Sequence, residues 1–435
     1  MEQPVGIGLA GLGNVGAGVY KHLLLNRTLL RERTGVDVVV RRIAVRDVAR
    51  RTTEGFPAEL LSDRWMDMVE DPRVQIVVEV MGRKEESLRL ILAAIAHGKI
   101  VVTANKALLA EHGQEIFDAA ARHSVPVFYE AAVGGGIPII KCLREALIGN
   151  HIDSIHGIIN GTSNYILTRM SDGGLSFTEA LAEAQAAGYA EPDPSLDVNG
   201  WDAAHKALIL ASLAYGYWVP PDKISVEGIE SLTAADFRFA KKLGYRIKLL
   251  GIIKAAHTEG ADIEVRIHPT LIPENHVLAS VNGVFNAVAV RGNVVGETLF
   301  YGRGAGQDPT TSSVLSDIAE AADALIRPRR NLGFMPHGLY GSPRPIGQTL
   351  SEYYLQLDVD DRPGVIAQVA GILGSLQIGI SSIFQPEAEE ESATVPLVMM
   401  LHTATLAQIE EALSRIGALE CVRKTPRMIR VEHFA

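Results

Sequence analysis

Cysteine is nearly missing from this chain: among 435 residues only Cys142 and Cys421 occur. Two thiols cannot make a disulfide framework, and such sparing use suits a reducing compartment. The opening Met-Glu-Gln-Pro-Val-Gly-Ile-Gly-Leu has no basic stretch and no cleavable apolar core, so no secretory signal is expected. Long hydrophobic runs are missing too. The longest, around residues 207–215, is too short and too rich in alanine to span a bilayer. Nor is there a basic excess. Lys plus Arg against Asp plus Glu gives 41 − 51 = −10, with a pI near 5.8, which disfavours nucleic acid and anionic membrane as partners. The thirteen histidines show no spacing that reads as zinc. The expectation is a cytoplasmic protein whose 47% hydrophobic residues suffice for full cores in two to four domains.

Continuous apolar runs at residues 5–10, 36–45, 74–80, 100–103 and 125–129 alternate with helix-like stretches, including 85–97 and 111–123. That alternation predicts a doubly wound parallel sheet. Residues from roughly 130 to 325 read as an α+β domain, with a helix over 138–148 and period-2 strands, 276–279 among them, covered by helices. Residues 327–350 hold four prolines and four glycines without apolar periodicity, the composition of a linker. Beyond it the pattern restarts as βαββαβ, a ferredoxin-like unit with an acidic turn at 387–391. The expected division is 1–137 with about 305–326 for the nucleotide, 138–304 for substrate and dimerisation, 327–350 as linker, and 351–435 as a regulatory unit.

Gly11-Leu-Gly13-Asn14-Val15-Gly16 sits after a strand and opens a helix, where a dinucleotide's diphosphate meets helix N–H groups. Arg46 with Arg50 and Arg51 could meet a 2′-phosphate, which tilts the choice toward NADP(H), while Asp47 leaves NAD(H) possible. Thr103-Ala-Asn-Lys106 follows another strand at the same sheet edge. Glu130, followed by Gly134, Gly135 and Gly136, can converge carbonyls beside a carboxylate, either as a hard-cation site or as a hinge. Asn160-Gly-Thr-Ser-Asn164 can cap a helix or bond a small polar substrate. The segment 191–206 is the most informative. A carboxylate-loaded Pro-Asp-Pro turn runs into an apolar helix that carries Asp202 and Lys206 four apart on one face. A lysine among carboxylates at the mouth of a buried helix is a candidate acid/base.

Together Gly11–Gly16, Thr-Ala-Asn-Lys at 103–106, Gly-Gly-Gly-Ile-Pro at 134–138, Asn-Gly-Thr-Ser-Asn-Tyr-Ile-Leu at 160–167, the run 188–206 and Gly-Arg-Gly-Ala-Gly at 302–306 resemble homoserine dehydrogenase, over residues 1 to about 330. The C-terminal unit resembles an ACT domain, and no kinase domain is seen before the dehydrogenase. The resemblance implies reversible reduction of L-aspartate 4-semialdehyde to L-homoserine with a nicotinamide cofactor. It makes Lys206 the proton donor, Asp202 its orienter and a substrate contact, and Lys106 the group that polarises or positions the reacting oxygen. Glu191 would bind the substrate ammonium, Gly188 would approach the substrate and Gly306 the cofactor. It also matches Glu130 and the carbonyls of Val133, Gly135 and Ile137 to a monovalent cation site for Na+ or K+. Ser195-Leu196 departs from a pattern that is more acidic in many members.

Two other readings stand beside this one. An acylating semialdehyde dehydrogenase needs a nucleophilic thiol, and neither cysteine has a nucleophile's context. An amino-acid sensor with a vestigial dehydrogenase is the other, against which Lys206 and Lys106 argue. The expected effector is L-threonine near residues 361–364, and the expected assembly a homodimer or homotetramer formed partly through the open edge of the C-terminal sheet.

Overall fold

The computed structural model describes residues 4–256, 258–327, 333–385 and 394–434. The apolar runs of the first 130 residues form a parallel sheet in the order Leu61–Ser62, Val38–Ala44, Val5–Ala10, Ile76–Glu79, Ile100–Thr103, Val127–Phe128. Ile76, Val77 and Val78 are all fully buried, so both faces of the sheet are covered, as an unbroken apolar strand requires. Strand order reverses between Val5–Ala10 and Ile76–Glu79, and a ligand crevice belongs at the carboxyl ends there. The distant helix Gln307–Ile326 packs Val314, Ile318, Ala321 and Ala322 into the same core as Ile7, Leu9 and Val78. A Cβ on Gly18 would lie 2.4 Å from Thr311 Oγ1, so this helix and Asn14–Leu25 touch backbone to side chain.

Two helices depart from the sequence expectation. The helix expected from 111 runs Lys106–His123, because Asn105 caps it and accepts the Leu108 N–H at 3.2 Å. The helix expected over 138–148 is one α turn, Ile139–Lys141, followed by a π-helix, Cys142–Ala146. Its wider turn carries Arg144 inward onto Glu320 and the Phe128 ring.

The second sheet begins as an antiparallel series: Gly296–Arg303, Phe285–Gly292, Ile152–Ile158, Tyr245–Lys254, Ala261–Pro273. Residues 276–279, expected as a strand, form instead the 3-10 turn Val277–Ser280, since the His276 ring accepts the Leu278 N–H. The helices Gly161–Gly173 and Trp201–Tyr215 pack on the sheet. In the second of these Leu208, Ile209 and Leu210 are fully buried, each stabilising by about 1.5–3 kcal/mol. That gain offsets the desolvation of Lys206 in the same helix, a cost of several kcal/mol for a buried ion.

The C-terminal strands are Leu350–Asp360, Ile380–Phe384, Thr394–Thr405 and Arg427–Val431, with helices Val365–Ser375 and Leu406–Gly417. Their antiparallel order, fourth-first-third-second, is ferredoxin-like. Of the unit's two edges one is closed: Arg427–Val431 pairs in parallel with Ala261–Pro273, at Thr270↔Arg430 and Leu271↔Val431, while Ile380–Phe384 ends the sheet among the described residues. One continuous sheet therefore joins the two units. Part of the proline-rich stretch is likewise anchored. Tyr340–Pro343 pairs with Ala261–Pro273, and the Tyr129 hydroxyl donates to the Gly333 carbonyl at 2.8 Å. Phe334 lies among Phe117 and Trp218. Residues 328–332 of that stretch, and the acidic turn at 387–391, lie outside the described residues. Among the described residues no helix is long and apolar enough to cross a membrane.

Candidate active site

Lys206 is buried in the second turn of its helix, and its Nζ donates to the Ile159 carbonyl at 2.7 Å and to Asp202 Oδ2 at 2.6 Å. Lys106, at the carboxyl edge of the parallel sheet, reaches the other oxygen: its Nζ lies 3.1 Å from Asp202 Oδ1. One carboxylate thus takes a lysine on each oxygen, from two different domains. Asn160 completes the group. Its Oδ1 accepts the Ser163 N–H, capping a helix, while its Nδ2 donates to Asp197 Oδ1 at 2.7 Å and to Asp202 Oδ2 at 2.8 Å. Burial lowers the pKa of Lys206, only partly opposed by Asp202. Asp202 raises that of Lys106 against the effect of burial. Burial alone would push Asp202 up, but Lys206 and Lys106 together hold it below the ordinary carboxylate range. Asp197 is raised, mainly by burial. The site thus holds a lysine whose pKa is lowered beside one whose pKa is raised.

Glu191 is exposed, its side chain unpaired among the described residues, and its charge adds to the raised pKa of Lys106. Gly188, at φ +74° in the turn after helix Phe177–Ala186, has open space where a Cβ would stand.

The three glycines of the first turn do three different things. Gly11 adopts φ +101°. A Cβ on Gly16 would lie 2.0 Å from the Gly11 carbonyl oxygen, so helix and strand meet there. A Cβ on Gly13 would meet nothing within 4 Å, which leaves that face free for a close ligand. Gly13 offers no side-chain cap to Asn14–Leu25, and the N–H groups of Asn14, Val15 and Gly16 open that helix toward an anion. A cavity of about 470 Å³ extends from Gly11 and Gly13 to Arg46, Asp47, Arg50 and Arg83. Asp47 caps the next helix through the Arg50 N–H, and Arg50 and Arg51 pair with Glu54. Arg46 is exposed and carries no ion pair among the described residues. Thr103, expected at the cofactor, is fully buried and donates its hydroxyl to Glu79 at 2.7 Å. The same hydroxyl accepts the Asn105 N–H at 3.1 Å. Gly306, at φ +120°, precedes helix Gln307–Ile326, whose Gln307 donates to the Asn14 carbonyl at 2.8 Å. This places the glycine loop beside the dinucleotide turn.

Glu130 is buried, and its two oxygens accept the N–H groups of Ile140 at 2.9 Å and Lys141 at 2.8 Å. Burial pushes its pKa up to about 7. The carbonyl of Gly135 accepts the Ser313 hydroxyl at 2.6 Å, and that of Ile137 the Ile139 N–H at 2.8 Å. Each carbonyl keeps a second lone pair. By donor type this loop, with buried Val133, suits a hard monovalent cation, whose charge would hold Glu130 ionised. Gly135 also meets the glycine loop after the second sheet: its Cβ would lie 2.5 Å from the Gly304 carbonyl oxygen.

Residues 11–130 match the family model "Homoserine dehydrogenase, NAD binding domain", and residues 138–319 match the model "Homoserine dehydrogenase". The chain belongs to the homoserine dehydrogenase family. The homoserine dehydrogenase of Pseudomonas aeruginosa is 46% identical over 99% of this chain and 100% of its own length. The crystal structure of the Thiobacillus denitrificans homoserine dehydrogenase is 42% identical with a TM-score of 0.91, covering 99% of this chain and 98% of that one. A hyperthermophilic archaeal homoserine dehydrogenase in complex with NADPH is 29% identical with a TM-score of 0.63, covering 75% of this chain and 99% of its own.

Sequence reasoning missed two members of the lysine–carboxylate cluster of this homoserine dehydrogenase. Asn160 was open between cap and ligand contact; one amide serves the helix with its oxygen and the carboxylates with its nitrogen. Asp197 is the other, and its place five residues before Asp202 in the carboxylate-loaded stretch is the usable signal. Cys142, half-buried with its thiol pKa raised by burial, lacks the lowered pKa of an acylating nucleophile.

Proposed function

We propose that this member of the homoserine dehydrogenase family interconverts L-homoserine and L-aspartate 4-semialdehyde through the Lys106–Asp202–Lys206 cluster. The carrying observation is a single buried carboxylate held between two lysines from different domains, at the sheet edge that also bears the dinucleotide turn. A bound nicotinamide dinucleotide supplies or accepts the hydride. Lys206 holds the proton at the substrate's reacting oxygen and, with its lowered pKa, passes it more readily than an exposed lysine would. Asp202 keeps Lys206 in place, and Lys106 stays charged to position that oxygen. Glu191, exposed with a spare carboxylate, takes the substrate ammonium, and Gly188 gives it room. Steady-state turnover of L-homoserine with NADP tests the reading; a purified chain that yields no NADPH sinks it.

NADP is the preferred cofactor in this reading, since Arg46 is the unpaired cation of the crevice among the described residues and the archaeal relative is described with NADPH. Na+ or K+ sits at Glu130, Val133, Gly135 and Ile137. Exchanging it for a bulky ammonium at fixed ionic strength is expected to lower the rate, and a flat response leaves the loop a hinge. The C-terminal unit serves as an ACT-type sensor of an amino acid, L-threonine first, in a cytoplasmic homodimer or homotetramer. Its 140 Å³ cavity against Asp361, Arg362 and Gly364 supports this. Inhibition by threonine of the full chain, lost in a chain ending near Arg330, is the check.

A further inference from the structure

Asp197 lies in the short helix Ser195–Val198 and Asp202 in the first turn of Trp201–Tyr215, so the turn between them sets how far apart the two carboxylates stand. Both are gripped by one Asn160 amide nitrogen, which tolerates little change in that spacing. The turn rests on the segment 226–229, whose Val226 Cγ1 would lie 3.1 Å from a Cβ on Gly200. Ile229 donates its N–H to the Val198 carbonyl at 2.8 Å. A Cβ on Gly228 would lie 2.4 Å from that same oxygen, and one on Gly200 would lie 3.2 Å from the Glu227 carbonyl oxygen. Gly200 is also at φ +88°.

The segment is held from behind. Glu227 donates its N–H to the Ile267 carbonyl at 2.8 Å, and its carboxylate takes both terminal guanidinium nitrogens of Arg430, at 2.9 and 2.7 Å. Arg430 belongs to the last strand of the C-terminal unit and its side chain is 2% exposed, whereas that of Glu227 is 42% exposed. From the same strand Arg427 reaches Thr233 Oγ1 at 2.8 Å and Asp236 at 3.5 Å, just beyond the segment. An ion pair with one half-exposed partner adds little stability. A two-pronged guanidinium fork does fix the direction of the carboxylate it holds.

We propose that Arg430 and Glu227 are positioning residues for the Asp197–Asp202 carboxylate pair, acting through the 226–229 segment and the turn it supports. The proposal rests on reading that pair as part of the homoserine site. The C-terminal unit is then part of the active-site scaffold, whether or not it binds an effector.

The test uses the full chain with Glu227→Gln, Arg430→Gln and Arg430→Lys. KM for L-homoserine is expected to rise roughly 3- to 30-fold in the two glutamine variants. The dissociation constant for NADPH alone should stay within about twofold, because the dinucleotide crevice is untouched. Arg430→Lys, which keeps the charge but loses the fork, should fall between them and wild type. Unchanged homoserine KM, or an equal weakening of homoserine and NADPH, overturns the proposal. If Arg430→Gln does not fold, Glu227→Gln at its half-exposed position decides alone. Wild-type turnover separates the two claims: without it the homoserine reading fails, and with it an unchanged mutant KM removes the positioning role only.

Discussion

The dinucleotide turn and the lysine–carboxylate cluster stand at the same sheet edge but are built in opposite ways. The turn is backbone. Six consecutive residues supply it, three glycines divide its tasks, and the charges around it are exposed arginines screened by solvent. The cluster is side chain. Lys106, Asn160, Asp197, Asp202 and Lys206 come from three distant segments, are mostly buried, and each depends on another's charge or hydrogen bond. A backbone site should therefore lose function by increments, while a buried network should fail as a unit.

The largest expected effect is in the network. Lys206→Ala should lower kcat by ~10²–10⁴-fold with the NADPH dissociation constant unchanged, and unaltered turnover would remove its assignment. Asp202→Asn should cost both rate and homoserine affinity, and it carries a test of sign. Asp202 raises the pKa of Lys206 against burial. Without it burial and the Lys106 charge are opposed by the weaker effect of Asp197, so the Lys206 pKa falls further. Homoserine oxidation needs Lys206 neutral to accept the proton, so the rising limb of its kcat–pH profile should move to lower pH. A move to higher pH contradicts the electrostatics.

The glycines sharpen the contrast within the turn itself. Gly16→Ala should destabilise the fold by about 1–3 kcal/mol, because its Cβ meets the Gly11 carbonyl oxygen at 2.0 Å. Gly13→Ala should leave Tm alone and weaken NADPH binding about tenfold, near 1.4 kcal/mol. If both variants show the same melting curve, the division of labour is wrong. The smallest effect is expected at Arg46. Arg46→Ala should lower the NADP-to-NAD ratio of kcat/KM by roughly tenfold or less, and added salt should shrink the difference. A ratio that does not move means the 2′-phosphate is met elsewhere.

Much of this was legible from local pattern. The parallel strands announced themselves as unbroken Val and Ile runs, and the pair Asp202 and Lys206 followed from helical spacing alone. At Thr103, position at a strand end says nothing about which way the hydroxyl turns; the buried Glu79 accepts it. The π-helix at Cys142–Ala146 was hidden because Glu320, the partner its Arg144 meets, lies 176 residues away. The pairing of Arg427–Val431 with Ala261–Pro273 was hidden for the same reason.

By itself the sequence determined whatever depends on near neighbours: the apolar periods, the glycine turn, the helix caps and the i, i+4 lysine. Short-range sterics and hydrogen bonding leave those little choice. Only the tertiary structure decided which charges share a carboxylate, which carboxylate's pKa is drawn down and which lysine's is lowered. Those outcomes depend on burial and on the distance between segments that the chain brings together only when folded. The clearest case is Asp202, whose two oxygens face Lys206 four residues away and Lys106 from the other domain.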